Sequence, residues 1–160
     1  DLNTGVADAW NPPVANGCAD RIRVTPSQVY VTAVRADMVR RYSKTGTGLI
    51  DTSFTPNLQG GIFGFDAREV SASRVVVGGE FVNVAGTYSP GLVLLNTAGG
   101  ALVRTISAER TFGTVSRMVP TPDGGLLVGG NFSRIANAQP PAVRVNLLKL
   151  TSTGAFDPAF

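Results

Sequence analysis

The stretch Val75–Phe81 reads VVVGGEF, and 51 positions later Leu126–Phe132 reads LLVGGNF. A chain that repeats a phrase at this spacing is assembled from copies of one supersecondary unit, because a unit of that size cannot bury its own apolar face and must stack on its like. The agreement extends beyond the glycines. Phe81 is followed five positions later by Gly86 and nine later by Pro90, and Phe132 is followed at the same offsets by Asn137 and Pro141. Gly and Asn take left-handed backbone most easily, so the fifth position is expected to need φ > 0.

A second landmark closes each unit: GLIDTSF ends at Phe54, GAFDPAF ends at Phe160, and a shorter relative, GVADAWNP, surrounds Trp10. GALVRTI is a degenerate copy, with Val103 in place of the Asp and Ile106 in place of the Phe. Markers at Asp8, Asp51, Val103 and Asp157 give spacings of 43, 52 and 54, hence one repeat domain over 1–160 with approximate units 8–50, 51–102 and 103–157.

Within a unit the pattern is of strands. Val115–Pro120 alternates, TPDGG supplies a Pro-Asp-Gly turn, and LLVGG begins the returning strand of a hairpin. A longer loop then delivers AVRVNLLKL, and TSTG turns into a short fourth strand holding Phe156 and Phe160. Unit one is the most eroded, with DRIRVTP and SQVYVTAV as the hairpin, DMVRRYS as the third strand and GLIDTSF as the fourth; Thr32-Ala33-Val34 stands where its siblings read Val-Gly-Gly. Four strands per repeat of this length is a propeller-blade signature. The predicted fold is all-β, about three four-stranded antiparallel propeller-type blades, forming an open or partial propeller unless other chains or missing blades complete it. High Gly (19) and Pro (10) contents with only 16% charged residues agree with a turn-rich β protein.

The ordered set of a D-x-x-F ending, a Pro-Asp-Gly turn, a V-G-G-x-F strand end and a Leu-rich third strand resembles the delta-60 repeat, a bacterial β-propeller repeat family. Departures are Val103 for Asp, the glycines missing from unit one and three extra residues around VNLLKL. The resemblance implies part of a large secreted or surface-attached bacterial protein and carries over no catalytic residues.

The residues themselves offer little chemistry. There is no histidine, which removes the commonest general base and metal ligand, and Cys18 is alone, so no internal disulfide can form. No catalytic residues, cofactor site or metal site are expected, and the chain is read as non-enzymatic. The paired glycines lead into Glu80-Phe81 and Asn131-Phe132 without a helical period, so they are read as strand-end devices allowing a bulge or close approach, with the Phe sealing the space between blades. Asp51 and Asp157 are read as turn-bracing groups, Glu80 as an acid without a partner, and the NFS at Asn131–Ser133 as part of a strand end. A net charge of +3 with twelve Arg spread from Arg21 to Arg144 lacks the dense stripe of a nucleic-acid binder, and the cluster Arg40, Arg41, Lys44 is read as a solvated strand edge. No apolar run reaches the length of a membrane span, so no membrane insertion is expected.

The chain starts with Asp1 and begins and finishes at the same place in the repeat, which points to a processed or excised piece cut to whole units. Three blades are fewer than the usual ring of about four to eight. The open ends are therefore expected to meet other copies of the chain or the remaining blades of a larger one, with Trp10, Phe156 and Phe160 as candidate inter-chain contacts. The leading functional expectation is a structural or adhesive module, self-assembling head to tail. The alternative is a carbohydrate- or protein-binding module, for a glycan or surface-protein partner, using loops 81–90 and 132–141 with Tyr88 and Asn137 as ligand-loop candidates. A hydrolase ranks third.

Overall fold

The computed structural model describes Trp10 and residues 18–26, 28–34, 38–106, 108–109, 113–135 and 145–160, and every regular element among them is a strand. Asp8, Asp37, Asn137 and Pro141 lie outside the described residues. Blade one is an antiparallel meander of β1 (Ala19–Val24), β2 (Gln28–Ala33) and β3 (Val39–Ser43). After a short β4 (Leu58–Gln59) comes blade two, with β5 (Gly64–Ser71) and β6 (Arg74–Gly79), a small hairpin of β7 (Asn83–Val84) and β8 (Thr87–Tyr88), then β9 (Leu92–Asn96) and β10 (Leu102–Thr105). Its sheet order is β10-β9-β6-β5. Blade three follows a short β11 (Ala108–Glu109) and has β12 (Thr114–Pro120), β13 (Leu126–Asn131), a short β14 (Arg134–Ile135) and β15 (Leu147–Leu150), ordered β12-β13-β15. The chain is thus all-β, a row of small antiparallel sheets forming a partial propeller.

The first strands of the blades lie side by side, β1 against β5 and β5 against β12. Each carries a register shift at the same place, between Ala19 and Arg21, Gly64 and Asp66, and Val115 and Arg117. A bulge increases the local twist, and its recurrence makes it part of the blade pattern. The small strands repeat as well: β4 pairs with β7 in front of blade two, and β11 pairs with β14 in front of blade three.

Two cores lie between the sheets. Tyr30 and Val39 of blade one close on Ala67, Val75, Val77 and Leu95 of blade two, while Val76 and Leu94 on the opposite face of blade two close on Met118, Val128 and Leu148 of blade three. Successive strand residues point to opposite faces, so Val75, Val76 and Val77 can all be fully buried only because blade two is covered on both sides. Burying each such side chain contributes roughly 1.5–3 kcal/mol. Phe81 joins the first core and Phe132 the second, as the sealing role expects.

Four strands are predicted in every blade, but among the described residues only blade two has a fourth, β10. In blades one and three it shrinks to single bridges, Tyr42 with Ile50 and Leu150 with Phe156. The cause is the landmark Asp. Asp51 Oδ1 accepts the Ser53 N–H at 3.0 Å and Asp157 Oδ1 accepts the Ala159 N–H at 3.0 Å, local turns that compete with a ladder. Blade two has Val103 there, and its outer ladder continues to Thr105.

The two glycines of each pair have separate tasks, and neither takes a positive φ. The second serves its own blade at the bulge: a Cβ on Gly79 would lie 2.6 Å from Phe63 O, and one on Gly130 would lie 2.9 Å from Val115 Cα. The first concerns the neighbour, since a Cβ on Gly78 would lie 2.9 Å from Val115 Cβ of blade three. Farther along the loop, Ala85 (φ 47°) and Gly86 (φ 80°) turn between Val84 and Thr87, which meets the expectation for Gly86 and matches a type I′ hairpin. We expect Gly78→Ala to destabilise the fold by about 1–3 kcal/mol. Adding Val115→Ala should cost less than the sum of the two single changes, as read by chemical denaturation; additive losses would exclude the contact.

Candidate functional site

Blade stacking brings together one buried polar centre that sequence reasoning missed. Asp66 is fully buried at the β5 bulge. Its carboxylate accepts Arg23 Nε (2.7 Å) and Nη2 (3.1 Å) from blade one, the Met118 N–H (2.9 Å) from blade three and the Ala67 N–H (3.0 Å) from its own strand. One side chain thereby ties the first strands of all the blades. Beside it Tyr30 donates its hydroxyl to Glu69 Oε1 at 2.9 Å across the first blade interface, and burial raises the phenol pKa. The available signal was position: Asp66 occupies the bulge site that holds Arg21 and Arg117 in the sibling units.

A groove of about 730 Å³ opens where the outer part of blade one meets the approach to blade two. Its walls include Arg41, Ile50, Asp51, Phe54 and Asn57, with Ala85 from the 81–90 loop. Arg41 is buried, which corrects the reading of Arg40, Arg41 and Lys44 as one solvated edge. It donates Nε (2.9 Å) and Nη2 (2.6 Å) to Asp51 Oδ2, donates Nη1 to the Thr97 carbonyl and sits 4.7 Å over the Phe54 ring. Only Lys44 of the trio is exposed.

The landmark acids are turn braces, each paired with the cation of its third strand. Asp51 takes both Ser53 donors as well as Arg41, and the Ser53 contacts, followed by Arg41, hold its pKa below the usual carboxylate value. Asp157 faces Lys149 Nζ at 3.5 Å, and Lys149 also binds Asp123, which depresses the Asp123 pKa. In blade two the same two positions are Leu94 and Val103.

The other sequence candidates are dispersed. Trp10 donates Nε1 to Ser43 O at 2.9 Å and lies against Gly48 of blade one. Phe156 packs against the core between blades two and three, and Phe160 is 47% exposed beyond it. Tyr88 is 62% exposed on β8. It does not line the groove.

The sign of the acid response follows from Asp51 and Asp123. Their folded pKa values are depressed, so the stability they contribute is complete above the ordinary carboxylate pKa of about 3.9 and is lost as pH falls through the lower folded values. We expect melting temperature to fall on acidification below about pH 4, and less steeply in Asp51→Asn. At neutral pH, Asp51→Ala should cost about 2 kcal/mol by stranding a buried guanidinium. Asp157→Ala should cost under about 1 kcal/mol, and equal losses would contradict the deeper burial of Arg41 than of Lys149.

Comparison with known proteins supports the architecture. Residues 73–102 and 121–160 match the family model described as "Domain of unknown function (DUF5122) beta-propeller", segments that run from the end of one hairpin turn to β10 and from the next turn to the final landmark. No curated protein matches the chain. The crystal structure of a protein of unknown function from Bacteroides caccae is similar with a TM-score of 0.52 at 18% identity, over 84% of this chain and 46% of that one. The chain therefore spans less than half the length of that protein. The family match carries the β-propeller repeat assignment, and the structural likeness shows that the two proteins share a fold.

Proposed function

We propose that the chain is a non-enzymatic structural or adhesive module of a secreted or cell-surface bacterial protein, built from delta-60-type repeats, whose end blades are covered by further blades from another copy or a larger chain. The observation that carries this reading is the contrast between the middle blade and its flanks. The inner strands β6 and β9 of blade two are buried on both faces, whereas blade one leaves Ile22 (56%) and Val24 (63%) exposed and blade three leaves Val119 (56%) and Leu147 (46%) exposed. By strand alternation each set lies on the face turned away from blade two. Exposed apolar sheet faces of this kind favour association. A head-to-tail contact between them would be heterologous, closing into a ring or extending as a filament.

The expected result is concentration-dependent association of the 160-residue chain by light scattering, reduced by Val24→Asp or Val119→Asp without loss of the folded far-ultraviolet spectrum. A folded chain that stays monomeric at all accessible concentrations would refute self-association.

The groove favours a second reading, a binding module for a carbohydrate or surface protein. It combines the buried Arg41 with its half-buried partner Asp51, the Phe54 ring and the polar Asn57 beneath the 81–90 loop. Absence of glycan-array binding, together with unchanged partner capture by an Ala85→Trp variant, would exclude it.

A further inference from the structure

Gly78 and Gly129 occupy one repeat position, opposite Asp66 and Arg117 at the bulge. At Gly78 the missing side chain is filled by Val115, from the first strand of the following blade. At Gly129 nothing among the described residues requires glycine: φ is not positive, and of those residues a Cβ would meet only Asn146 O at an ordinary 3.8 Å. Glycine inside a strand weakens it and often marks close approach of another backbone. The geometry points to Gly129 as the seat for a following blade, and we propose that its occupant is blade one of a second copy, with Ala19 over Gly129.

Ala19 is the register counterpart of Val115, since each stands before the bulge of its first strand. Both internal interfaces have a glycine at this level. Gly78 admits Val115, and Gly64 admits Met38, whose Cβ lies 3.1 Å from where a Gly64 Cβ would be. Gly129 with Ala19 keeps that rule and continues an interface the chain already makes. The surroundings agree, because Val119 and Leu147 flank the seat while Ile22 and Val24 follow Ala19. Exposed Arg117 lies beside Gly129, and exposed Asp20 beside Ala19, 3.8 Å from Arg21 of its own strand, carries the opposite charge. The inference rests on the assembly reading above and adds its register.

Sedimentation velocity on the wild-type chain and Gly129→Leu tests it. The leucine should weaken self-association at least tenfold while the dilute monomer keeps its melting temperature, and Val103→Ser on the outer strand of blade two should change neither. Should Gly129→Leu fail to fold, a cross-link replaces it: in a Cys18→Ser background, an Ala19→Cys copy mixed with a Gly129→Cys copy should form a covalent heterodimer on oxidation. If wild type associates but the leucine variant associates equally well, or no heterodimer forms, the register is wrong and assembly stands. A folded wild-type monomer at about 100 µM would overturn both.

Discussion

A sheet of three or four strands has two faces and too little thickness to bury a core alone, so each blade depends on the blades beside it. This constraint orders the rest of the structure. Blade two meets it on both sides, and its strands accordingly read as continuous apolar runs, RVVVGG and LVLLN. The third strands of the flanking blades, VRRYS and LLKL, mix charge into the pattern. Stacking also explains the glycines, because sheets can approach closely only where one of them gives up a side chain.

Charge is placed by the same rule. Arg41 with Asp51 and Lys149 with Asp157 are one device at equivalent repeat positions, a third-strand cation pinned to a turn-bracing acid. In blade two both members are apolar, Leu94 and Val103. Leu94 points into the core against blade three, where an unpaired cation would carry a large desolvation cost. Asp66 is the exception, a fully buried carboxylate retained because partners from both neighbouring blades satisfy it. It works as a keystone only when the blades are assembled, which makes it a three-body feature.

Much of the fold was legible because turn chemistry and strand alternation are local. The hairpin turns, the inward Phe81 and Phe132 and the left-handed Gly86 follow from residue types at fixed offsets. The candidate site was less legible. The fourth strands of blades one and three were overestimated, because an Asp that marks a repeat boundary also bends the chain out of its ladder. Arg41 resembled a surface charge beside Arg40 and Lys44, since strand alternation alone does not say which face has a neighbour. Asp66 carried no motif at all; its importance arises from Arg23, 43 residues before it, and Met118, 52 residues after it.

The sequence by itself determined the period, the strand content and the turns, because these depend on side-chain size, backbone freedom and alternation within a few residues. Only the tertiary structure decided which faces are covered, which charges are buried and which glycine has a neighbour. Those properties belong to pairs of blades, and local residue pattern has no access to what lies on the other side of a sheet. Gly78 and Gly129 are spelled alike, and only the stacking distinguishes them: one is filled by Val115, and the other has no neighbouring blade against it among the described residues.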